Sequence, residues 1–441
     1  MSRSRMTQHC RRQVVYRSKL LNAINSLIDR RVVAGSTGTG RVWNGWAVLL
    51  AGVLMAWQQG RTLADKFTGT RVALRRMLPT TKLGRSYQGF VKALRLQSMD
   101  LMDRVTAHLR VQMPVLAGPH WTIHGWCALA VDGSRVECPR TAANERELRC
   151  AGRKRTTPQL FLTMVYHLGT GLPWSYRIGP GTDSERNHLR GMLGCLPGGG
   201  LLVADAGFVG YDLLTGIGAS GRHFLIRVGS NVTLLRKLGF GQIHGPQTVW
   251  LWPDKAAKRR LPPVALRLIV LHDGKKPVYL VTNVAEPQRL SDQAAGALYR
   301  RRWGVEVFFR SFKQTLAHRQ MRSDAPANAR VELAWAVLGL WVLSAMTVQR
   351  MVAAGTDPGR LSVAAAIRVV RGAMGPPGES ASLLEQLAGA VKDGYVRTAP
   401  KQARDWPHKK TEKPPGEPKI REATDKEVQL AKDLETPNVA A

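Results

Sequence analysis

Apolar residues recur at three- and four-residue spacing through Leu20 to Ile28, Trp43 to Trp57 and Tyr87 to Leu109, so the chain from Arg12 to about Met113 reads as helical. Arg71, Arg75, Arg76, Lys82, Arg85, Lys92 and Arg95 are interleaved with these apolar positions. The helices are therefore expected to form a basic module over residues 1–115, suited to DNA or to capping the next domain. Pro114 to His120 reads as a linker. Beyond it the period shortens to β-type runs at Trp126 to Val131, Leu160 to His167 and Pro173 to Ile178, the last two joined by the hairpin signal Gly169, Thr170, Gly171.

A polar helix is expected from Asp183 to Cys195, followed by the apolar run Leu201 to Ala204 between Gly200 and Gly207. Three antiparallel strands, a helix and another strand open a ribonuclease H-like sheet. The fold class expected is therefore α/β: a ribonuclease H-like mixed sheet flanked by helices over residues 120–375, with an N-terminal helical domain. His223 to Val228, Thr248 to Trp252, Leu266 to Leu271 and Val278 to Val284 read as a β-rich insertion carrying its own small sheet, with Asp273-Gly274 as a hairpin turn. A long helix is expected from Ser291 to Ala317 and an apolar one from Val331 to Val352. Residues 398–441, rich in Lys, Glu and Pro, read as a disordered tail.

Charge changes this picture most. Lys and Arg number 65 against 31 Asp and Glu, a formal charge of +34 that costs stability through self-repulsion unless a partner neutralises it. Nucleic acid is the expected partner. A membrane is not, because the apolar stretches Trp46 to Trp57 and Leu333 to Val348 are shorter than the ~20 residues that span a bilayer. The five cysteines include no C-x-x-C pair and read as reduced structural thiols. No secretion signal is legible at the N-terminus, so the expected location is the cytoplasm.

Candidate chemistry lies on the long helix. Tyr299, Arg302, Glu306, Arg310 and Lys313 fall within roughly 80° of one another at ~100° per residue, so they share one face. Leu298, Val305, Phe308, Phe309 and Phe312 occupy the other side and would anchor it on a core. A glutamate four residues from an arginine is commonly a surface pair worth tenths of a kcal/mol. Here, however, Arg300, Arg301, Arg302, Arg310 and Lys313 crowd a single acid, and DNA phosphates would balance the excess.

Two further acids end apolar runs: Asp132 after Ala128 to Val131, and Asp205 after Leu201 to Ala204. Asp132-Gly133 taken alone is an ordinary turn dipeptide. Taken with Glu306, two strand-end acids and a helix acid form the arrangement that gathers carboxylates around a pair of divalent cations for in-line phosphoryl transfer.

The spacing Tyr299, Arg302, Glu306, Lys313 resembles the Y-R-E-K signature of the insertion-sequence-four family of bacterial DDE transposases. Asp132 in Ala-Val-Asp-Gly-Ser and Asp205 in Val-Ala-Asp-Ala-Gly-Phe resemble that family's first two catalytic acids, and the likeness covers about Gly125 to Asp324. It implies two Mg²⁺ ions, replaceable by Mn²⁺, on Asp132, Asp205 and Glu306. It also implies Tyr299, Arg302 and Lys313 on DNA phosphates, with Arg310 beside them, and a homodimer on paired double-stranded transposon ends acting on target DNA. Members that form hairpins stack a tryptophan of the insertion's last strand on a flipped base. Tyr279 is the nearest aromatic here, with Trp250 and Trp252 as substitutes or core residues. A non-catalytic DNA-binding descendant and a structure-selective nuclease are the alternatives.

Overall fold

The computed structural model describes residues 19–35, 42–152, 157–241, 245–272, 276–375, 382–394 and 415–435. Its strands are β1 (Ala128–Glu137), β2 (Gln159–His167), β3 (Leu172–Pro180), β4 (Leu201–Ala204), β5 (His223–Val228), β6 (Thr233–Arg236), β7 (Thr248–Leu251), β8 (Val264–Leu271), β9 (Val278–Thr282) and β10 (Lys419–Glu422). They form one ten-stranded mixed sheet in the order β10-β6-β7-β8-β9-β5-β4-β1-β2-β3. Within it, the run β3-β2-β1-β4-β5 has β2 and β3 antiparallel and β4 and β5 parallel to β1, which is the ribonuclease H-like arrangement expected. Asp273 and Gly274 lie outside the described residues.

The chain divides into two compact units. One comprises Met1–Trp121, Gly133–Ser184 and Gly304–Lys392. Its axis is the Pro326–Ala353 helix, against which Gly45–Trp57 and Tyr87–Ala117 pack. Small residues allow the close approach: a Cβ on Gly52 would run into the Trp335 ring, and one on Gly339 into Ala56. Two indoles then tie the helices together, Trp57 Nε1 donating to the Gly339 carbonyl at 2.8 Å and Trp335 Nε1 to Ser98 Oγ at 2.8 Å. The N-terminal helices thus share a core with a helix more than two hundred residues later, where local periodicity suggested a separate module.

The Tyr87–Ala117 helix also runs through Pro114, replacing most of the expected linker. Pro326–Ala353 is long and apolar enough to cross a membrane, but 83% of its most apolar window is buried inside the protein, as befits a core helix.

The other unit comprises Thr122–Asp132, Glu185–Trp303 and Asp393–Ala441. The expected insertion does not close on itself: β5 pairs with β4 on one edge and β9 on the other, so β6 to β9 continue the main sheet. Where composition suggested a disordered tail, β10 pairs in parallel with β6 and a helix spans Asp425–Glu435. Thr424 and Glu427 form a capping box, Arg421 Nη2 reaches Glu427 Oε1 at 2.7 Å, and Ala431 is buried with Leu235, Trp250 and Trp252. Cys127, Cys138, Cys150 and Cys195 are free thiols, and burial pushes Cys127 and Cys138 up to about 12.

Candidate active site

β1 does not end at Asp132; it continues through Asp132-Gly133 to Glu137, so this Asp-Gly is not a turn. Ala128, Leu129 and Ala130 pair with Leu201, Leu202 and Val203, and carrying that parallel register two residues on sets Asp132 opposite Asp205. Asp205, the residue that follows β4, has extended backbone (φ −83°, ψ −178°). Both aspartates are half-buried.

Asp205 also starts the short turn Ala206–Phe208: its Oδ1 accepts from the Gly207 N–H at 2.8 Å, while Arg186 Nε donates to the Gly207 carbonyl at 2.6 Å. A Cβ on Gly207 would stand 2.9 Å from Asp205 Oδ1 and 3.1 Å from Glu185 Oε1. Glu185 is therefore a second carboxylate at this loop, one that periodicity hid inside a polar helix. That helix is shorter than expected, Glu185–Arg190 with a separate turn at Leu193–Cys195.

The helix expected over Ser291 to Ala317 is in pieces. α-Helical bonding spans Asp292–Arg301, lapses at Arg302, where the N–H bonds to the Tyr299 carbonyl three residues back, and resumes over Trp303–Arg310. A wider π-type turn follows at Ser311–Thr315, closed by the Leu316 N–H on the Ser311 carbonyl. The five positions on the charged face are therefore not related by uninterrupted α-turns.

Tyr299 and Arg302 belong to the unit of the two aspartates, where the Arg302 guanidinium lies 5.7 Å from the Tyr299 ring centre. Glu306, Arg310 and Lys313 belong to the other unit. There Glu306 is half-buried and Arg310 exposed, while Val305, Phe308, Phe309 and Phe312 are buried as the pattern required. Phe308 packs edge-on against Tyr166 at 6.0 Å. Lys313 Nζ donates to Ser134 Oγ at 2.8 Å, and burial, reinforced by Arg319 and opposed by Glu137, lowers its pKa.

The aromatic residues redistribute. Trp250 and Trp252 are core residues, their indoles donating to the Phe240 and Leu261 carbonyls. Trp303, next to Arg302, is 54% exposed. The signal for it in the sequence is a large indole set among the charged residues of the helix.

Residues 124–342 match the family model described as the transposase DDE domain. This stretch is similar to transposase DDE domains. The chain is 28% identical over 233 residues to the transposase InsG of insertion sequence element IS4 from Escherichia coli strain K12, across 50% of this chain and 51% of the relative. It thus spans about half the length of that curated relative. Among solved structures it is similar to the piggyBac transposase in a synaptic complex with hairpin DNA, at a TM-score of 0.44 and 9% identity over 86% of each chain.

DDE domains generally work with divalent metal ions, and the donors offered here are hard carboxylate oxygens, the type that suits Mg²⁺ or Mn²⁺. Two of the expected donors, Asp132 and Asp205, are carried by the paired parallel strands β1 and β4, Asp132 within β1 and Asp205 one residue past β4. Among the described residues, no three acidic, histidine or cysteine side chains are already gathered in metal-binding geometry.

Gly207 in the matched stretch yields a direct prediction. Gly207→Ala should displace the Asp205 carboxylate, because the added methyl falls inside its contact distance. Activity should drop by about 10-fold or more with little change in melting temperature, since small displacements of catalytic groups are costly. Equal activity in a single-turnover cleavage assay would show the loop to be indifferent to that methyl.

Proposed function

We propose that this chain is a DNA transposase that hydrolyses a phosphodiester at the ends of an insertion sequence and joins the freed strand to target DNA. The observation that carries the proposal is the parallel pairing of β1, which contains Asp132, with β4, which runs directly into Asp205, within the matched domain. In the first step a water oxygen bonds to phosphorus and the element's 3′-oxygen leaves as a hydroxyl. In the second, that hydroxyl attacks a target phosphodiester, whose own 3′-oxygen departs.

Asp132, Asp205 and Glu306 would hold two Mg²⁺ ions, or Mn²⁺ in their place. Bound there, the ions supply charge neutralisation and Lewis acidity at the phosphoryl group. Tyr299, Arg302, Arg310 and Lys313 grip backbone phosphates near the cut. Lys313 is oriented by Ser134, a residue of the same strand as Asp132. The exposed Trp303 supplies a face on which a base can stack. We assign DNA binding to the basic N-terminal helices, a homodimer to the complex with paired double-stranded ends, and the bacterial cytoplasm, on the nucleoid, as the place of action.

The test uses labelled duplexes carrying the inverted repeats that flank the reading frame, a supercoiled target and Mg²⁺. Joined product is expected. Cleavage without joining would make the protein a structure-selective nuclease, and binding alone a non-catalytic descendant.

A further inference from the structure

Where the Ser311–Thr315 turn ends, the unit containing Glu306 and Lys313 opens into a groove of about 1390 Å³. That exceeds the ~300–1,000 Å³ of small-molecule pockets. Five cations line it, Arg61, Lys92, Arg95, Arg319 and Arg322, against two acids, Glu137 and Asp324. Arg61, Lys92, Arg95 and Arg319 are exposed, and among the described residues no carboxylate forms an ion pair with any of the four. Such a set is an uncompensated positive strip.

The walls are braced. Arg322 Nη1 donates to the Gly60 carbonyl at 2.7 Å and also to the Arg61 carbonyl, fixing the loop that carries Arg61. The Glu332 carboxylate accepts from the Arg322 N–H at 3.0 Å, the Ser323 N–H at 3.0 Å and Ser323 Oγ at 2.7 Å. The Met321 N–H donates to the Glu137 carbonyl at 2.8 Å, pinning residues 319–321 to the end of β1. Arg322 is thus consumed in architecture, leaving four cations facing outward. Arg319 also bears electrostatically on Lys313, so the positive strip continues into the charged helix.

We propose that this groove is a docking surface for double-stranded DNA, gripping the phosphate backbone of the duplex through Arg61, Lys92, Arg95 and Arg319. The inference deepens the transposase reading and rests on it. Duplex DNA fits because the groove is open, is lined by two N-terminal helical segments and the 317–325 segment, and combines cations with the apolar Val91 and Leu96 rather than with paired acids. The cations come from segments more than two hundred residues apart in the chain. DNA docked here therefore engages the N-terminal helices and the exit of the charged helix as one surface.

The test is equilibrium binding of the full chain to a fluorescently labelled duplex in EDTA, where no cleavage occurs, at several salt concentrations. The triple variant Lys92→Gln, Arg95→Gln, Arg319→Gln should bind at least about 10-fold more weakly. Its slope of log affinity against log salt should be shallower by about 1 for each phosphate that is no longer neutralised. Arg368→Gln, an exposed arginine outside the groove, should leave both unchanged. If the triple variant does not fold, judged by circular dichroism, the single variants Lys92→Gln and Arg319→Gln should each lower the slope by about 1.

An unchanged slope, or a loss no larger than that of Arg368→Gln, overturns the groove while leaving the transposase reading intact. Better competition by the single strand than by the duplex overturns the choice of duplex DNA. Failure of the wild-type protein to bind any duplex overturns the transposase reading itself.

Discussion

Replacing Asp205 by asparagine is expected to abolish both end cleavage and strand joining while leaving the fold in place. Asparagine keeps the volume of the side chain and its Oδ1 acceptor, so the 2.8 Å hydrogen bond from the Gly207 N–H that starts the Ala206–Phe208 turn survives. Only the negative charge is removed. Changes in groups that merely orient metal ligands cost about 10–100-fold, so loss of a ligand charge should exceed about 100-fold in the single-turnover rate. Mn²⁺ affinity, read by electron paramagnetic resonance without any DNA, should fall in parallel. Asp132→Asn and Glu306→Gln should behave alike. Retained cleavage by Asp205→Asn, with Mn²⁺ affinity unchanged, would remove this acid from the chemistry. A reduced melting temperature would instead assign its role to the turn.

The second large effect concerns acid stability. His167 and His318 are both buried and neutral in the folded chain, with pKa values lowered by burial to about 4 and about 3. His167 Nε2 donates to the Trp121 carbonyl at 3.0 Å, and its Nδ1 accepts from the Thr170 N–H at 3.3 Å, so a second ring proton would confront a donor. His318 bonds to the Ala56 backbone and feels the charges of Lys66, Arg322 and Arg371, all of which oppose a further cation. An unfolded histidine takes up its proton near pH 6.5. As pH falls below that value the unfolded chain gains two protons that the folded chain refuses. The stabilisation is therefore complete above about pH 6.5 and is lost progressively towards pH 4. At 1.36 kcal/mol per pKa unit the loss amounts to several kcal/mol. Urea melts at about pH 7 and pH 4.5 measure it, and the double variant His167→Gln, His318→Gln should show a much flatter dependence. An identical pH dependence in that variant would place the titrating groups elsewhere.

Several features were legible because they are local. The apolar side of the charged helix, Val305, Phe308, Phe309 and Phe312, is buried as its spacing requires, and the hairpin at Gly169 to Gly171 joins β2 to β3. The Asp425–Glu435 helix was also written locally, in the capping box Thr424-Asp-Lys-Glu427, but a composition dominated by Lys, Glu and Pro masked it. Glu185 was hidden for a different reason: nothing in its immediate neighbours distinguishes it from a surface residue.

Amino-acid order by itself determined the periods, the caps, the Y-R-E-K spacing and the apolar runs that deliver Asp132 and Asp205, since each depends on residues within a turn or two of one another. Tertiary structure alone decided that β1 runs straight through an Asp-Gly pair, that β5 bridges β4 and β9 into one sheet, and that the α-helix lapses at Arg302 and widens at Ser311–Thr315. It also decided that N-terminal cations line a groove with Arg319. These outcomes depend on which distant partner satisfies a backbone hydrogen bond or covers an apolar face, and a one-dimensional pattern carries no record of that partner.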